Sequence, residues 1–177
     1  VNAYRLLFGE NDGMPGLIVD IYNKVGVVKV YSAIWFPYIE TLLKPIVGVS
    51  GVEALIIRWS RNVQSLEVPY KEGEVIYSEL KNSQIKFTEY GVHFETDVVL
   101  GHKTGFFLDH RENRRKIGAM AKGKSVLDVF SYTGGFSTHA LFGGAKEVTS
   151  MDISKQALEL AKRNAALNKH SGVHNII

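Results

Sequence analysis

The stretch VLDVFSYTGGFSTHALFGGAKEVTSMDIS, residues 126–154, decides the fold class of this chain. Its first five residues form an apolar run interrupted only by Asp128, which is typical of a strand buried in a parallel sheet. The following SYTGG carries turn chemistry, and FSTHALF has helix-compatible spacing before Gly143 and Gly144. We therefore predict a strand, a tight turn and a helix in this order.

The second half of the stretch predicts another strand and helix. EVTSMD is a strand candidate that ends at Asp152, and Ser154 suits the N-cap of the helix that follows. The final segment, VHNII, is typical of the start of a third parallel strand. This β-α-β-α order indicates an open parallel sheet, in which ligands bind outside the carboxyl ends of the strands.

Asp152 and the turn at Gly134 and Gly135 are the first candidates for a ligand site. Glycine lets the backbone approach a ligand closely, and an acid at the end of the second strand can accept hydrogen bonds from ribose hydroxyls. The G-x-G-x-x-G fingerprint of dinucleotide sites is absent, so S-adenosylmethionine, which has no phosphates, fits better. The alternative is that the two glycines only make a turn and Asp152 only caps a helix.

Two further motifs indicate a family. YRLLFGENDGMPGLIVDIY occupies residues 4–22, and GHKTGFFLDHRENRR occupies residues 101–115, upstream of the strand predicted at the start of residues 126–154. Together with residues 126–154, they resemble the large-subunit ribosomal RNA methyltransferase I-like family, class I enzymes that make 5-methylcytosine. The resemblance covers essentially the whole chain, with its three motifs in the expected order.

The resemblance implies S-adenosylmethionine as the cofactor and assigns a set of residues to it. A hairpin would close over the cofactor, and Lys103 or Arg111 would pair with its carboxylate. Asp152 would hold the ribose hydroxyls, the backbone of residues 133–135 would approach the methionine portion, and Asp128 would orient the turn or meet the amino group. The full predicted set is Lys103, Thr104, Gly105, Phe107, Asp109, Arg111, Asp128, Phe130, Tyr132, Thr133, Gly134, Gly135, Asp152 and Ile153.

Catalytic residues are not predicted within the chain. Methylation of cytosine carbon 5 requires a nucleophile at carbon 6, a role suited to a cysteine thiolate, and the chain has no Cys. The resemblance implies that the catalytic residues lie beyond Ile177 and that an RNA-binding PUA domain precedes Val1. Three alternatives stay open: guanine N-methylation, which needs no thiol, a nicotinamide- or flavin-dependent oxidoreductase, and a noncatalytic RNA-binding module.

The expected fold is an α+β N-terminal domain followed by an incomplete α/β Rossmann-like class I methyltransferase core. The α+β domain covers residues 1–98, with strands at YRLLF, LIVDIY, GVVKVY and VEALIIRW, an amphipathic helix at residues 33–47, and a strand pair in QIKFTEYGVHFETDV. The cofactor-covering hairpin and a linker helix take residues 99–122. The first part of the core takes residues 123–177.

Composition is ordinary for a soluble domain, with 45% hydrophobic and 22% charged residues. No apolar run approaches the roughly 20 residues of a membrane span, and we expect a cytoplasmic protein without a membrane partner. Residues 101–125 carry seven Lys or Arg against Asp109 and Glu112. This cluster either faces RNA phosphates or is the solvated face of a helix. The expected partner is RNA, specifically 23S ribosomal RNA, and a homodimer is one option for assembly.

Overall fold

The computed structural model describes all residues, Val1–Ile177, and contains two compact units. The N-terminal unit comprises residues 2–87 and 96–106, and the C-terminal unit comprises residues 88–95 and 107–177 together with Val1. A single boundary near Val98 therefore does not describe the division, because residues 88–95 group with the later part of the chain.

The N-terminal unit is built on a five-stranded sheet. Its strands are β1 (Ala3–Phe8), β2 (Leu17–Tyr22), β3 (Val25–Val30), β4 (Ala54–Trp59) and β5 (Val75–Tyr77), in that spatial order. All neighbours are antiparallel except β3 and β4, which are parallel and are connected through helix α1 (Ile39–Ser50). Leu43 and Ile46 of α1 belong to the same buried core as Leu17, Val28 and Ile57 of the sheet.

The structure differs from the sequence prediction in two places in this unit. Residues 33–38 form a 3₁₀ helix that contains Pro37, so the α-helix starts at Ile39 and not at residue 33. Proline lacks the N–H that an α-helical ladder requires at an interior position. The connection at residues 60–83 contains a short helix, α2 (Arg61–Gln64), and the three-residue strand β5, both too short to produce a periodic signal.

The predicted strand pair is present as β6 (Gln84–Glu89) and β7 (Val92–Asp97), which form a two-stranded sheet. Tyr90 and Gly91 connect the strands and have positive φ angles of 51° and 81°. Two consecutive residues at positive φ match the type I′ turn, whose twist suits a two-residue hairpin.

The C-terminal unit alternates helices and parallel strands as predicted. Its elements are α3 (Arg111–Met120), β8 (Ser125–Val129), α4 (Gly135–Phe142), β9 (Glu147–Met151), α5 (Lys155–Ala166) and β10 (Val173–Ile176). The strands lie in the order β10-β9-β8, all parallel. The Oγ of Ser154 accepts the N–H of Ala157 at 3.2 Å, which confirms the predicted helix cap. A membrane span would require a longer and more apolar helix than any that the structure contains.

A buried ionic network fixes the hairpin turn within the C-terminal unit. The carboxylate of Glu89 accepts two hydrogen bonds from the Arg114 guanidinium, both at 2.7 Å, and lies 2.9 Å from Nε2 of His139. All three side chains are at least 97% buried. Arg114 also donates to the carbonyl of Phe107 at 2.8 Å. Arg114 is therefore not part of an exposed basic face, although the sequence places it in the basic cluster.

Glu89 should make the stability of the protein sensitive to acid. Burial alone would raise the pKa of Glu89, but the hydrogen bonds and charges of Arg114 and His139 outweigh it and lower the pKa. A lowered pKa in the folded state means that the stabilisation is present above the unfolded-state pKa and is lost as pH falls through the folded-state value. Glu89→Gln should cost about 3–5 kcal/mol of unfolding free energy at neutral pH, because it leaves a buried Arg114 without its counterion.

Urea unfolding followed by circular dichroism from neutral to acidic pH measures this effect. Glu159→Gln is the matched control, because Glu159 forms an exposed pair with Lys162 and its loss should change stability little. The Glu89→Gln protein should also lose less stability on acidification than the parent does. Equal unfolding free energies for the two variants at neutral pH would disprove the role of the network.

Candidate cofactor site

The turn after β8 has an unusual backbone. Phe130, Tyr132 and Gly134 all have left-handed φ angles, of 60°, 49° and 71°. The N–H of Ser131 donates to the carbonyl of Met151 at 2.9 Å, and the N–H of Gly134 donates to the carbonyl of Ser131 at 2.9 Å. Bulky residues rarely adopt positive φ unless surrounding contacts enforce it, and such residues cluster at ligand sites.

Gly134 is required for packing as well as for turn geometry. A Cβ on Gly134 would lie 2.7 Å from the Cβ of Ala161 on α5, which is closer than such atoms approach. The side-chain amide of Asn164, also on α5, donates to the carbonyl of Thr133 at 2.9 Å. The turn therefore rests directly on α5, which is a second reason for glycine here besides approach to a ligand.

Asp152 links the ends of the two neighbouring strands. Its Oδ2 accepts the N–H of Tyr132 at 2.8 Å, and its Oδ1 accepts the N–H of Ser154 at 2.9 Å. The side-chain cap of α5 is Ser154, so Asp152 does not serve only as a helix cap. Each carboxylate oxygen has a second lone pair, so the half-buried Asp152 can still accept two hydroxyl groups.

Asp128 holds the first turn of α4. Its Oδ2 accepts both the N–H and the Oγ–H of Ser137, at 3.0 and 2.7 Å. Burial raises the pKa of Asp128, and the nearby charge of Asp152 acts in the same direction, whereas the bonds from Ser137 oppose the shift. Asp128 therefore holds the first turn of α4, and its role at the cofactor, whether it orients the turn or contacts the amino group, stays a prediction.

The structure shows a chain of polar side chains that extends from Asp128 and that the sequence does not predict. Ser137 Oγ lies 2.5 Å from Ser150 Oγ, which in turn lies 2.8 Å from Nε2 of His174. Burial is the main cause that lowers the pKa of His174, which favours its neutral form. Serine and histidine on separate elements carry no local pattern, so only the pairing of β8, β9 and β10 brings these groups together.

Exposed apolar side chains and unpaired hydroxyls complete this end of the sheet. Phe130, 86% exposed, and Ile153, fully exposed, follow the ends of β8 and β9. Buried oxygens of Ser131 and Thr133 in the turn have no hydrogen-bond partner in the structure. The carboxylate can accept the hydroxyls of a ribose, the apolar side chains suit an aromatic base, and the unpaired hydroxyls suit polar substituents. These residues therefore fit S-adenosylmethionine.

The C-terminal unit contains part of the predicted covering segment. The Phe107 ring packs edge-to-face on Tyr132, with 5.4 Å between centroids, which places Phe107 beside the turn. Asp109 is exposed, and its Oδ2 lies 3.8 Å from Nε2 of the neighbouring His110. Arg111 is the first residue of α3.

The remaining predicted residues of that segment belong to the N-terminal unit. Thr104 is buried there, and its hydroxyl donates to Oδ2 of Asp20 at 2.6 Å and lies 3.0 Å from the hydroxyl of Tyr22. Gly105 has a φ of 132°, and a Cβ at this position would lie 2.7 Å from Oγ1 of Thr96. Lys103 is exposed. Thr104 therefore has a structural role in this unit, and its contact with a cofactor stays a prediction.

These contacts explain why two distant motifs occur together. Asp20, from the motif at residues 4–22, is fully buried and forms a bidentate ion pair with Arg5 at 2.8 and 2.9 Å. Tyr22, from the same motif, accepts the N–H of Phe106 at 3.0 Å. The two motifs therefore form one buried polar cluster within the N-terminal unit.

Comparison with known proteins gives consistent matches. A ribosomal RNA large subunit methyltransferase of Deinococcus radiodurans is 46% identical over 99% of this chain and 44% of its own length. Ribosomal RNA large subunit methyltransferase I of Aliivibrio fischeri is 38% identical over 96% of this chain and 43% of its own. The chain thus spans less than half the length of these relatives.

A solved structure and a family profile support the same assignment. A protein described as a methyltransferase, crystallised in complex with SAH, matches with a TM-score of 0.84 and 25% identity over 99% of this chain and 45% of its own. Residues 64–175 match the profile of a family described as S-adenosylmethionine-dependent methyltransferase. This match confirms the predicted methyl-donor cofactor over a nicotinamide or flavin. The chain belongs to the S-adenosylmethionine-dependent methyltransferase family.

Proposed function

We propose that the protein transfers a methyl group from S-adenosylmethionine to RNA, with cytosine carbon 5 of large-subunit (23S) ribosomal RNA as the acceptor. The observation that carries the proposal is the half-buried Asp152 carboxylate, which joins the left-handed turn after β8 to the end of β9. The names of the Deinococcus and Aliivibrio relatives support large-subunit ribosomal RNA as the substrate. A cytoplasmic location is part of the same proposal.

Each residue at this end of the sheet has a distinct role in the proposal. Asp152 accepts the two ribose hydroxyls, and the apolar side chains of Phe130 and Ile153 cover the adenine. The backbone of residues 133–135 approaches the methionine portion, and Asp128 keeps that backbone in place through Ser137. Lys103 or Arg111 pairs with the cofactor carboxylate.

The chemistry is divided between the cofactor and the protein. The cofactor supplies an electrophilic methyl group on its sulfonium, and the residues described here bind and orient it. Cytosine carbon-5 methylation also needs a nucleophile, and these 177 residues contain no cysteine thiol. The proposed role of these 177 residues is therefore to bind and orient the methyl donor.

Asp152→Ala should weaken the binding of S-adenosylmethionine. Hydrogen bonds to a charged group contribute about 1.5–3 kcal/mol, so loss of the ribose contacts should raise the dissociation constant about 10- to 100-fold. Isothermal titration of the full-length protein with S-adenosylmethionine measures this change.

The control for this titration is Glu159→Ala, which removes an exposed acid from α5 without touching the turn. Circular dichroism should show that both variants keep the parent's secondary structure. If Asp152→Ala binds the methyl donor as tightly as the parent, the assignment of Asp152 is wrong.

The methylated product should identify the acceptor atom. We expect the full-length protein to transfer tritium from methyl-labelled S-adenosylmethionine to unmodified large-subunit ribosomal RNA. Nucleoside chromatography of the digested RNA should then show labelled 5-methylcytidine. Label in a methylated guanosine would favour the guanine N-methyltransferase alternative, and no transfer by a protein that binds the methyl donor would contradict the proposed reaction.

A further inference from the structure

A half-open pocket lies in the C-terminal unit away from the cofactor turn. Its volume is about 300 Å³, at the lower end of the range of small-ligand pockets. It is lined by Tyr90 and Val92 of the hairpin, by α3 and the residues after it, and by His139, Phe142 and Gly143 at the end of α4. All of these residues belong to one compact unit.

The pocket lies at the opposite end of α4 from the cofactor turn. Helix α4 begins at Gly135, beside that turn, and ends at Phe142, about 10 Å further along its axis. Beyond its end, the carbonyl of Gly144 accepts the N–H of Gly123, just before β8 begins. The pocket therefore lies on the side of the amino ends of the strands, so a group bound there is not the one that receives the methyl.

Two exposed aromatic rings border the pocket. Tyr90 is 43% exposed and Phe142 is 47% exposed. A Cβ on Gly91 would lie 3.9 Å from Cζ of Phe142, so the hairpin turn is adjacent to this ring. Such rings provide stacking surfaces that accept any base.

Tyr90 occupies a backbone position that disfavours a bulky side chain. The first central residue of a type I′ turn requires positive φ, and asparagine is favoured there over an aromatic residue. The ring is nevertheless held in place, because the Arg115 guanidinium lies 5.3 Å over its centroid and its hydroxyl donates to Glu112. A strained residue that is fixed at an exposed pocket indicates a role in binding.

Basic side chains outnumber acidic ones around the pocket. Lys122 and the half-exposed Arg115 line it. Lys124 follows Lys122 by two residues and Lys146 follows the lining residue Gly143 by three, and the N–H of Lys146 donates to the carbonyl of Lys124. The three lysines are exposed and have no carboxylate within 4.0 Å, whereas Arg115 contacts Glu112. Aromatic surface beside unpaired lysines is the combination that binds a base and its flanking phosphates.

The geometry points to a second RNA contact of this protein: the pocket between Tyr90 and Phe142 holds one unstacked nucleotide of single-stranded RNA, and Lys122, Lys124 and Lys146 bind the adjoining phosphates. This inference rests on the proposed RNA substrate and extends it to a site remote from the methyl donor. The pocket anchors the RNA outside the reacting nucleotide and reads no sequence, because stacking and phosphate contacts are common to all nucleotides.

Tyr90→Asn and Lys122→Glu test the pocket. Asparagine suits the backbone of the turn, so the first variant should fold at least as well as the parent while it removes the stacking ring. Fluorescence anisotropy of the full-length protein with a short, fluorescein-labelled single-stranded RNA of mixed sequence should show about tenfold weaker binding for Tyr90→Asn. Lys122→Glu should weaken binding and reduce its dependence on salt concentration.

The matched control is Lys44→Glu, which makes the same charge reversal on an exposed lysine of α1 in the other unit. Titration with S-adenosylmethionine should give the parent's affinity for both pocket variants, because the pocket lies at the opposite end of α4 from the cofactor turn. If both pocket variants bind the RNA as tightly as the Lys44→Glu protein, the pocket is not an RNA site. A parent that binds the methyl donor but no RNA would instead contradict the proposed substrate.

Discussion

The Asp152 carboxylate is the contact on which the cofactor end of this structure depends. It accepts one backbone N–H from the turn after β8 and one from the segment after β9, so it fixes the ends of both strands relative to each other. The left-handed residues of that turn are unfavourable alone, and these hydrogen bonds offset their cost. As a consequence, Phe130 and Ile153 are presented at the same end of the sheet with a carboxylate beside them.

A second constraint connects the buried interior of the C-terminal unit to this turn. Glu89 fixes the Arg114 guanidinium, which donates to the carbonyl of Phe107, and the Phe107 ring packs on Tyr132. The position of Phe107 beside the turn therefore depends on an ionic network rather than on local sequence. The same network fixes the hairpin turn that carries Tyr90, so one buried cluster supports both the proposed cofactor site and the pocket.

Local patterns in the sequence predicted the elements well but not the long-range partners. The apolar runs and turn residues identified the order of β8, α4, β9, α5 and β10, and Ser154 was recognisable as a cap. Phe87 and Glu89 are two residues apart in β6, so the strand period places Glu89 on the same inward face as Phe87. The period cannot identify the partners of Glu89, because they are 25 and 50 residues away. Thr104 shows the same limit, because its hydroxyl is directed by Asp20, 84 residues earlier in the chain.

The most direct test of the central claim is a crystal structure of the full-length protein with S-adenosylmethionine bound. The account predicts both ribose hydroxyls within hydrogen-bond distance of the Asp152 carboxylate, with the adenine against Phe130 and Ile153. Methyl donor bound away from the turn at residues 130–134, with Asp152 contacting only Tyr132 and Ser154, would contradict it.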